Sequence, residues 1–326
     1  MKKIGIVLGA LLALAGCKPE PGEEGDPFIP IGLTAGLEAG TKALKPGPIE
    51  GNNFPANTTD VFRLTVYASN SGIPTAFGSV YDEIENAQVN STADLGRFSL
   101  QEGPKYYPGT GEALYFYAYS PYGDYAEYNS GTAAVPPSVT YTFDGTQDIL
   151  WDTVTRGIRK ATSIGGQENP DFNFQHKLML VEFTAMASEN FHPNGLEVKE
   201  IWVKDVNTQV ELDLVSGRMQ YGARGEIGNA FVTSKDGKRV QVQEYTENQE
   251  SLESFCPLMF EPQATFVIEV VLSDGTTYSD VPVSLSGSAN PGASFRVNLT
   301  INRSEIVATG TVVPWDPQGD TDVTLD

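Results

Sequence analysis

Side chains suited to acid–base or nucleophilic catalysis are few in this sequence. Of its two histidines, His176 lies in a strand-like segment and His192 precedes a Pro-Asn-Gly turn. Catalysis needs a positioned base or an activated nucleophile, whereas a lone histidine in a strand is usually a hydrogen-bonded packing residue. The zincin, nucleophile-elbow and phosphate-loop patterns do not occur. We therefore expect no enzymatic activity and no cofactor.

Metal binding is not expected either. Asp316, Asp320 and Asp322 crowd together near the C-terminus, and calcium prefers such carboxylate ligands. Their spacing differs from the Asp-x-Asp-x-Asp-Gly pattern of a calcium-binding loop. A solvated acidic segment is therefore the expected state of these residues.

Cys17 has the sequence context of a lipid attachment site. The apolar run over residues 4–15 follows two lysines and is shorter than the about 20 residues of a membrane-spanning helix, which is typical of a secretory signal peptide. Leu14-Ala15-Gly16-Cys17 resembles a bacterial lipobox, whose cysteine is acylated and becomes the first mature residue. We predict a lipoprotein signal peptide over residues 1–16 and an outer-membrane lipid anchor on Cys17. An ordinary signal peptide with an incidental cysteine is the alternative.

Residues 17–27 are predicted to be an acidic flexible tether. The stretch from Lys18 to Asp26 contains no apolar side chain that could pack into a core. It resembles the acidic export signal that gut-type Gram-negative bacteria place behind the lipidated cysteine of surface lipoproteins. We therefore expect an outer-membrane lipoprotein displayed at the cell surface, with a plain spacer as the alternative.

The charge balance disfavours two classes of partner. The 326 residues carry a formal net charge of −21, which argues against binding to nucleic acid and to anionic lipid surfaces. Cys256 is the only other cysteine, so acylation of Cys17 would leave no intrachain disulfide. We expect Cys256 to be a small buried apolar side chain, and stability to come from core packing.

Alternation of apolar and polar side chains predicts many short antiparallel strands and almost no helix. The clearest strands cover residues 62–68, 114–119, 264–272, 281–285 and 295–301. Turn-forming residues separate them, in keeping with 33 glycines and 21 prolines, and the pattern predicts an all-β fold of sandwiches or barrels. The stretch 161–170 is the best linker. It divides the chain into an N-terminal β domain, residues 28–170, and a C-terminal β domain, residues 171–326.

The first strand of the N-terminal domain, residues 28–38, combines one apolar face with a weak backbone. Its other face includes Pro30, Gly32 and Gly36, which are poor strand formers. The apolar face consists of Ile29, Ile31, Leu33, Ala35 and Leu37. Burying the four large side chains contributes at most about 6–12 kcal/mol. Removal of this strand would leave a groove with unpaired backbone groups, which a strand from another molecule could fill.

Removal of the first strand would require a cut, and residues 40–48 form a polar segment suited to one. Lys42 is the candidate site for a trypsin-like protease acting before Ala43, because Lys45 precedes a proline and resists cleavage. The alternative is an ordinary first strand followed by a loop.

Tyr115, Tyr117 and Tyr119 indicate a second possible function. They lie on the opposite face of one strand from Leu114 and Phe116. Stacked aromatic faces bind sugars, so these tyrosines could form an aromatic surface of a glycan-binding lipoprotein. The alternative is an interface between the sheet and a neighbouring element.

Motifs along most of the chain resemble the fimbrillins and Mfa-like lipoproteins, the type V pilins of Bacteroides-type bacteria. After the lipobox, the resembling segments follow in family order: GTKA (40–43), FRLTVYA (62–68), YYPGTGEALYFYAYSPYG (106–123), FNFQHKLMLVEF (172–183) and VVPWDPQG (312–319). The resemblance implies two transthyretin-like, Greek-key β-sandwich domains in tandem. It also implies that a protease removes the first strand and that a strand of the next subunit replaces it.

The same resemblance implies that the partners are other fimbrial subunits. The candidate donor strand has Val307, Thr309, Thr311, Val313 and Trp315 on one face. This segment is alternatively the last strand of its own domain. We predict a structural or adhesive subunit that passes from the outer membrane into a surface fimbria. The alternatives are an uncleaved anchor or tip component and a surface glycan-binding lipoprotein.

Overall fold

The computed structural model describes residues 29–37, 54, 56–94, 96–158, 169–230, 232–234 and 237–313. Over these residues the chain forms twenty strands and two short 3₁₀ turns, which confirms the predicted all-β fold. The turns are Tyr81–Glu83 and Gln249–Ser251. The strands are β1 (Leu33–Leu37), β2 (Phe62–Ser69), β3 (Ala87–Ser91), β4 (Arg97–Leu100), β5 (Ala113–Ser120), β6 (Ala126–Asn129), β7 (Ser138–Thr142), β8 (Leu150–Ile158), β9 (Asp171–His176), β10 (Met179–Ala187), β11 (Glu197–Asn207), β12 (Gln209–Asp213), β13 (Met219–Tyr221), β14 (Arg224–Asn229), β15 (Val240–Gln241), β16 (Phe255–Phe260), β17 (Thr265–Leu272), β18 (Thr277–Leu285), β19 (Ser294–Ile301) and β20 (Ile306–Val312).

These strands form three sheets. The first closes on itself in the order β1-β4-β3-β2-β5-β8-β9, and we call it the N-terminal barrel. The large sheet has the order β14-β11-β17-β18-β20-β19-β10-β16, with β15 beside β11. The third sheet has the order β13-β12-β7-β6, and all its strand pairs are antiparallel. We call it the mixed sheet because it joins strands from both halves of the chain. Within the described ranges, no helix is long and apolar enough to cross a membrane.

Strand β5 separates two of the three hydrophobic cores. Its residues Leu114 and Phe116 belong to the core inside the N-terminal barrel. The alternate residues Tyr117 and Tyr119 belong to a second core, which they share with Tyr141 of the mixed sheet. A third core is formed mainly by side chains of the large sheet. Because both faces of β5 are covered, its sequence is apolar or aromatic at nearly every position.

The structure corrects the predicted domain boundary at residues 170 and 171. Strand β9 follows that boundary, yet it pairs with β1 and β8 and closes the N-terminal barrel. Its alternate residues Phe172 and Phe174 are buried in the barrel core. Local alternation identifies a strand but not the sheet it joins, so the sequence assigned β9 to the domain that follows it. The pairing of β12 with β7 crosses the same boundary.

Cys256 lies in β16 as a buried side chain, as expected from the sequence. Only 5% of it is exposed, and burial raises the pKa of its thiol to about 12. It is a free cysteine within the core of the large sheet. A thiol with such a pKa stays protonated near neutral pH, so Cys256 serves as an apolar packing residue.

Candidate functional site

Strand β1 closes the N-terminal barrel because it pairs with both β4 and β9. On one side, Leu33 pairs with Phe98 of the antiparallel strand β4. On the other side, Thr34 pairs with Asp171 of the parallel strand β9. Among the described strands, β1 alone lies between β4 and β9 in the order of this sheet. We call the space between β4 and β9, which β1 occupies, the seam.

The inward face of β1 fills the seam with apolar side chains. Leu33 and Ala35 are 3% and 5% exposed, and the preceding residues Ile29 and Ile31 pack partly buried against the same core. Leu37 ends the strand at the register of β9. The core beneath is aromatic and includes Phe54, Phe98, Phe172 and Phe174. The residues predicted for one apolar face therefore lie along the seam.

The residues before β1 bind a separate segment of the barrel wall. The Ile31 N–H donates to the Lys105 carbonyl at 2.8 Å, and the Tyr107 N–H donates to the Ile29 carbonyl at 3.0 Å. Hydrogen bonds thus continue beyond the five residues of β1 itself. Residues 29–37 are consequently held by backbone contacts along their whole length.

The other face of β1 contacts the residues that lead into β9. The Thr34 hydroxyl donates to Asp171 Oδ1 at 2.8 Å, and the Thr34 N–H donates to the Pro170 carbonyl at 3.1 Å. Gly32 lies so close to Asn169 that a Cβ at position 32 would stand 2.8 Å from Asn169 Nδ2. No sequence pattern around Asn169 or Asp171 indicates this contact. The only local signal is the glycine itself, whose need for space depends on a residue far along the chain.

A carboxylate links β8 and β9 beside the seam. Asp152 Oδ1 accepts the Thr153 N–H at 2.7 Å, and Asp152 Oδ2 accepts the Asn173 N–H at 2.5 Å. Burial raises the pKa of Asp152 to about 6, the two backbone N–H groups act to lower it, and the charge of Asp171 acts to raise it. The link between β8 and β9 therefore depends on a group that titrates in the mildly acidic range.

Several predicted residues lie outside the part of the chain that the structure describes. These residues include the lipidation site Cys17, the cut at Lys42 and Ala43, and Trp315 of the candidate donor strand. The signal peptide, the tether and the acidic residues Asp316, Asp320 and Asp322 also lie outside it. These assignments stay predictions.

The candidate donor segment is the strand β20, and it lies inside the large sheet. It pairs with β19 from Ile306 to Val312 and with β18 on its other side. Ile306 is buried, whereas Val307 is 51% exposed and Thr309 and Thr311 are exposed as well. The face predicted for donation thus points outward, and the opposite face packs. Donation of β20 would require the loss of both its ladders.

The predicted aromatic surface is wrong for Tyr115, Tyr117 and Tyr119, because all three are buried. They are 5%, 0% and 1% exposed and belong to the core between the barrel and the mixed sheet. The Tyr119 hydroxyl donates to Asn86 Oδ1 at 2.5 Å, which satisfies its polar group inside the protein. The three tyrosines instead form an interface between their sheet and a neighbouring element, which is the alternative that their sequence pattern left open.

The two histidines have structural surroundings. His176 is buried, and its Nδ1 lies 2.8 Å from Asp148 Oδ1, as expected for a hydrogen-bonded packing residue. His192 is exposed, 3.5 Å from Glu244. Within the described residues, no group of three or more His, Cys, Asp or Glu side chains is placed to hold a metal ion.

The fold and the seam together define a class of all-β protein in which the first described strand completes a barrel formed by later strands. The chain belongs to the fimbrillin-like family, whose sequence profile matches residues 50–315. That match begins after β1 and covers most of the chain. Comparison with curated proteins gives no match.

Solved structures with this fold come from several Bacteroides species. A fimbrial protein of Bacteroides vulgatus superposes with a TM-score of 0.57 at 14% identity, over 88% of this chain and 99% of that one. A Bacteroides uniformis protein, provisionally described as a cell adhesion protein, gives 0.55 at 17% identity over 88% and 98%. A Bacteroides ovatus protein with the same description gives 0.55 at 16% identity over 90% and 100%. At such identities these similarities establish the fold.

Proposed function

We propose that this protein is a structural or adhesive subunit of a cell-surface fimbria, assembled by strand exchange at the seam. In this mechanism β1 is removed by proteolysis and a strand of another subunit takes its place. The observation that carries the proposal is the position of β1. It is the first described strand, it closes the barrel, and the rest of the barrel wall consists of later strands.

Removal of β1 would expose the two kinds of surface that bind an extended strand. The edges of β4 and β9 would lose their backbone partners, and such edges readily pair with strands of other molecules. Between them, the aromatic core residues Phe98, Phe172 and Phe174 would meet water. A strand with alternating apolar side chains would restore both the hydrogen bonds and the burial.

The N-terminal region supplies the other parts of the proposed assembly. Acylation of Cys17 would hold the precursor in the outer membrane, and a cut between Lys42 and Ala43 would separate β1 from the rest of the chain. The fimbrial and adhesion descriptions of the structural relatives and membership of the fimbrillin-like family support a location at the cell surface. The buried tyrosines leave the glycan-binding alternative without its aromatic surface.

The test is the N-terminal mass of the mature protein taken from intact cells. We expect a chain that begins at Ala43, carries no lipid and forms polymers that survive detergent until boiled, because strand release would break two ladders at once. The K42Q variant is expected to stay acylated at Cys17 and monomeric. K45Q serves as the matched control and should behave as the unchanged chain. A mature chain that starts at acylated Cys17 and forms no polymers would overturn the proposal and favour an uncleaved anchor or tip component.

A further inference from the structure

Two side chains that precede or open β9 contact the outward face of β1. Thr34 lies opposite Asp171 in the parallel ladder, so the same offset places Gly32 opposite Asn169. Residues two apart in a strand point to the same side, which makes Gly32 and Thr34 one outward pair and Asn169 and Asp171 its counterpart. Asn169 and Asp171 therefore contact β1 and the residue before it at two successive outward positions, Gly32 and Thr34.

At the first position, any residue larger than glycine would displace the Asn169 side chain. A Cβ at position 32 would lie 2.8 Å from Asn169 Nδ2 and 2.9 Å from its Cγ and Oδ1. Carbon atoms do not approach other heavy atoms so closely without one of them moving. Glycine lets the Asn169 side chain lie against the strand. Any other residue would have to push the Asn169 side chain away.

The second position favours a hydroxyl and disfavours a carboxylate. The Thr34 hydroxyl donates to Asp171 Oδ1 at 2.8 Å. A carboxylate at position 34 would meet the like charge of Asp171, whereas serine or threonine would keep the hydrogen bond.

We propose that Asn169 and Asp171 fix the register of the strand in the seam and determine which strand fits there. The fitting strand has alternating apolar residues inward and, on its outward face, glycine followed two residues later by serine or threonine. This inference rests on the proposed function in its second part, the identity of the incoming strand. Its first part concerns β1 in the uncut chain.

The C-terminal segment of this chain does not have the required pattern. If Gly310 took the place of Gly32, Val312 would face Asp171 without a hydroxyl. Gly319 and Thr321 have the right spacing, but the inward positions would then receive Asp320 and a second aspartate. A buried, unpaired carboxylate is strongly unfavourable. Residues 306–326 of a second copy therefore do not fit the seam, and we assign its occupant to a strand of another subunit that has the residue pattern of β1.

Hydrogen exchange of β1 in the full-length, uncut chain tests the register contacts. We expect G32A to speed exchange of the Leu33–Leu37 amides at least about tenfold, which corresponds to about 1.4 kcal/mol, and N169G to restore slow exchange when combined with it. T34D should also speed exchange, with partial recovery in combination with D171N. The single variants N169G and D171N, checked for an unchanged far-UV circular dichroism spectrum, show whether the fold itself survives the loss of each contact.

Two outcomes would overturn this part of the inference. One is unchanged exchange in both G32A and T34D. The other is faster exchange that N169G and D171N do not reverse, since G32A and T34D would then act through contacts other than those with Asn169 and Asp171. A local propensity effect alone predicts slower exchange for G32A, because alanine restricts the unfolded backbone more than glycine does.

The identity of the incoming strand is tested with the purified chain after cleavage at Lys42. We expect no polymer from this chain alone, and capture of a synthetic strand with the sequence of residues 28–38. A copy of that strand with valine in place of Gly32 should bind at least about tenfold more weakly. Polymers of the chain alone, linked through residues 306–326, would overturn the second part while the proposed function stands. Failure of the cut chain to bind any strand would overturn the proposed function and leave the register contacts in β1 unaffected.

Discussion

At the scale of single residues, the acid Asp152 makes stability depend on pH. Its pKa in the folded chain is raised from 3.8 to about 6, so the folded state binds the proton more tightly than the unfolded state does. This contribution to stability is fully present below about pH 4 and is lost as pH rises through about 6. We expect D152N to lose less stability than the unchanged chain between pH 4 and 7, as measured by urea denaturation. D124N, at an exposed carboxylate, is the control, and equal pH slopes for D152N and the unchanged chain would contradict the prediction.

A second residue-scale prediction concerns the buried pair of His176 and Asp148. Their side chains are 0% and 2% exposed and 2.7 Å apart at Nδ1 and Oδ2. Replacing Asp148 by alanine would leave a buried imidazole nitrogen without its acceptor, so we expect a loss of about 1–3 kcal/mol of unfolding free energy. D148N keeps an acceptor oxygen and should lose less. Equal losses in the two variants would mean that the cost comes from packing and not from the hydrogen bond.

At the scale of elements, β1 contributes to the barrel through its inward side chains. Leu33 is 3% exposed in the aromatic core, and truncation of such a leucine to alanine usually costs about 2–5 kcal/mol. We expect L33A to lower the unfolding free energy within that range. The matched control is V307A on the 51% exposed side chain of β20, for which we expect less than about 0.5 kcal/mol. A loss in L33A no larger than in V307A would show that β1 does not pack as described.

The strands could be predicted from the sequence, whereas their partners could not. Alternation from Phe62 to Ala68 locates β2, because a strand with one buried face repeats every two residues. The same reasoning finds Phe172 and Phe174 on one face of β9 but cannot place that face in the barrel. Gly32 stands out as a poor strand former. The space that its missing side chain leaves is taken by Asn169, which lies 137 positions further along the chain. Such long-range contacts leave no periodic signal in one sequence.

At the scale of the whole molecule, the mixed sheet couples the two halves of the chain. Val210 and Leu212 of β12 are buried in the core that also contains Tyr117 of β5. We expect hydrogen exchange in β5 and in β17 to report one cooperative unfolding transition, because neither half has this core without the other. When exchange is followed as a function of urea concentration, L212A should lower the unfolding midpoints of β5 and β17 together. Two transitions at separate urea concentrations would contradict this coupling.

The seam also has a direction, since β1 runs parallel to β9 and antiparallel to β4. A strand inserted in the reverse orientation would exchange these two relations and move its outward residues away from Asn169 and Asp171. Only a strand parallel to β9 keeps the contacts with Asn169 and Asp171, so every joint made through the seam points the same way. A row of such joints would be a head-to-tail filament. A filament of this kind has two chemically different ends, one with a strand still to give and one with a groove still to fill. A subunit that kept its own β1 would offer no groove, so it could stand only where the row of grooves stops.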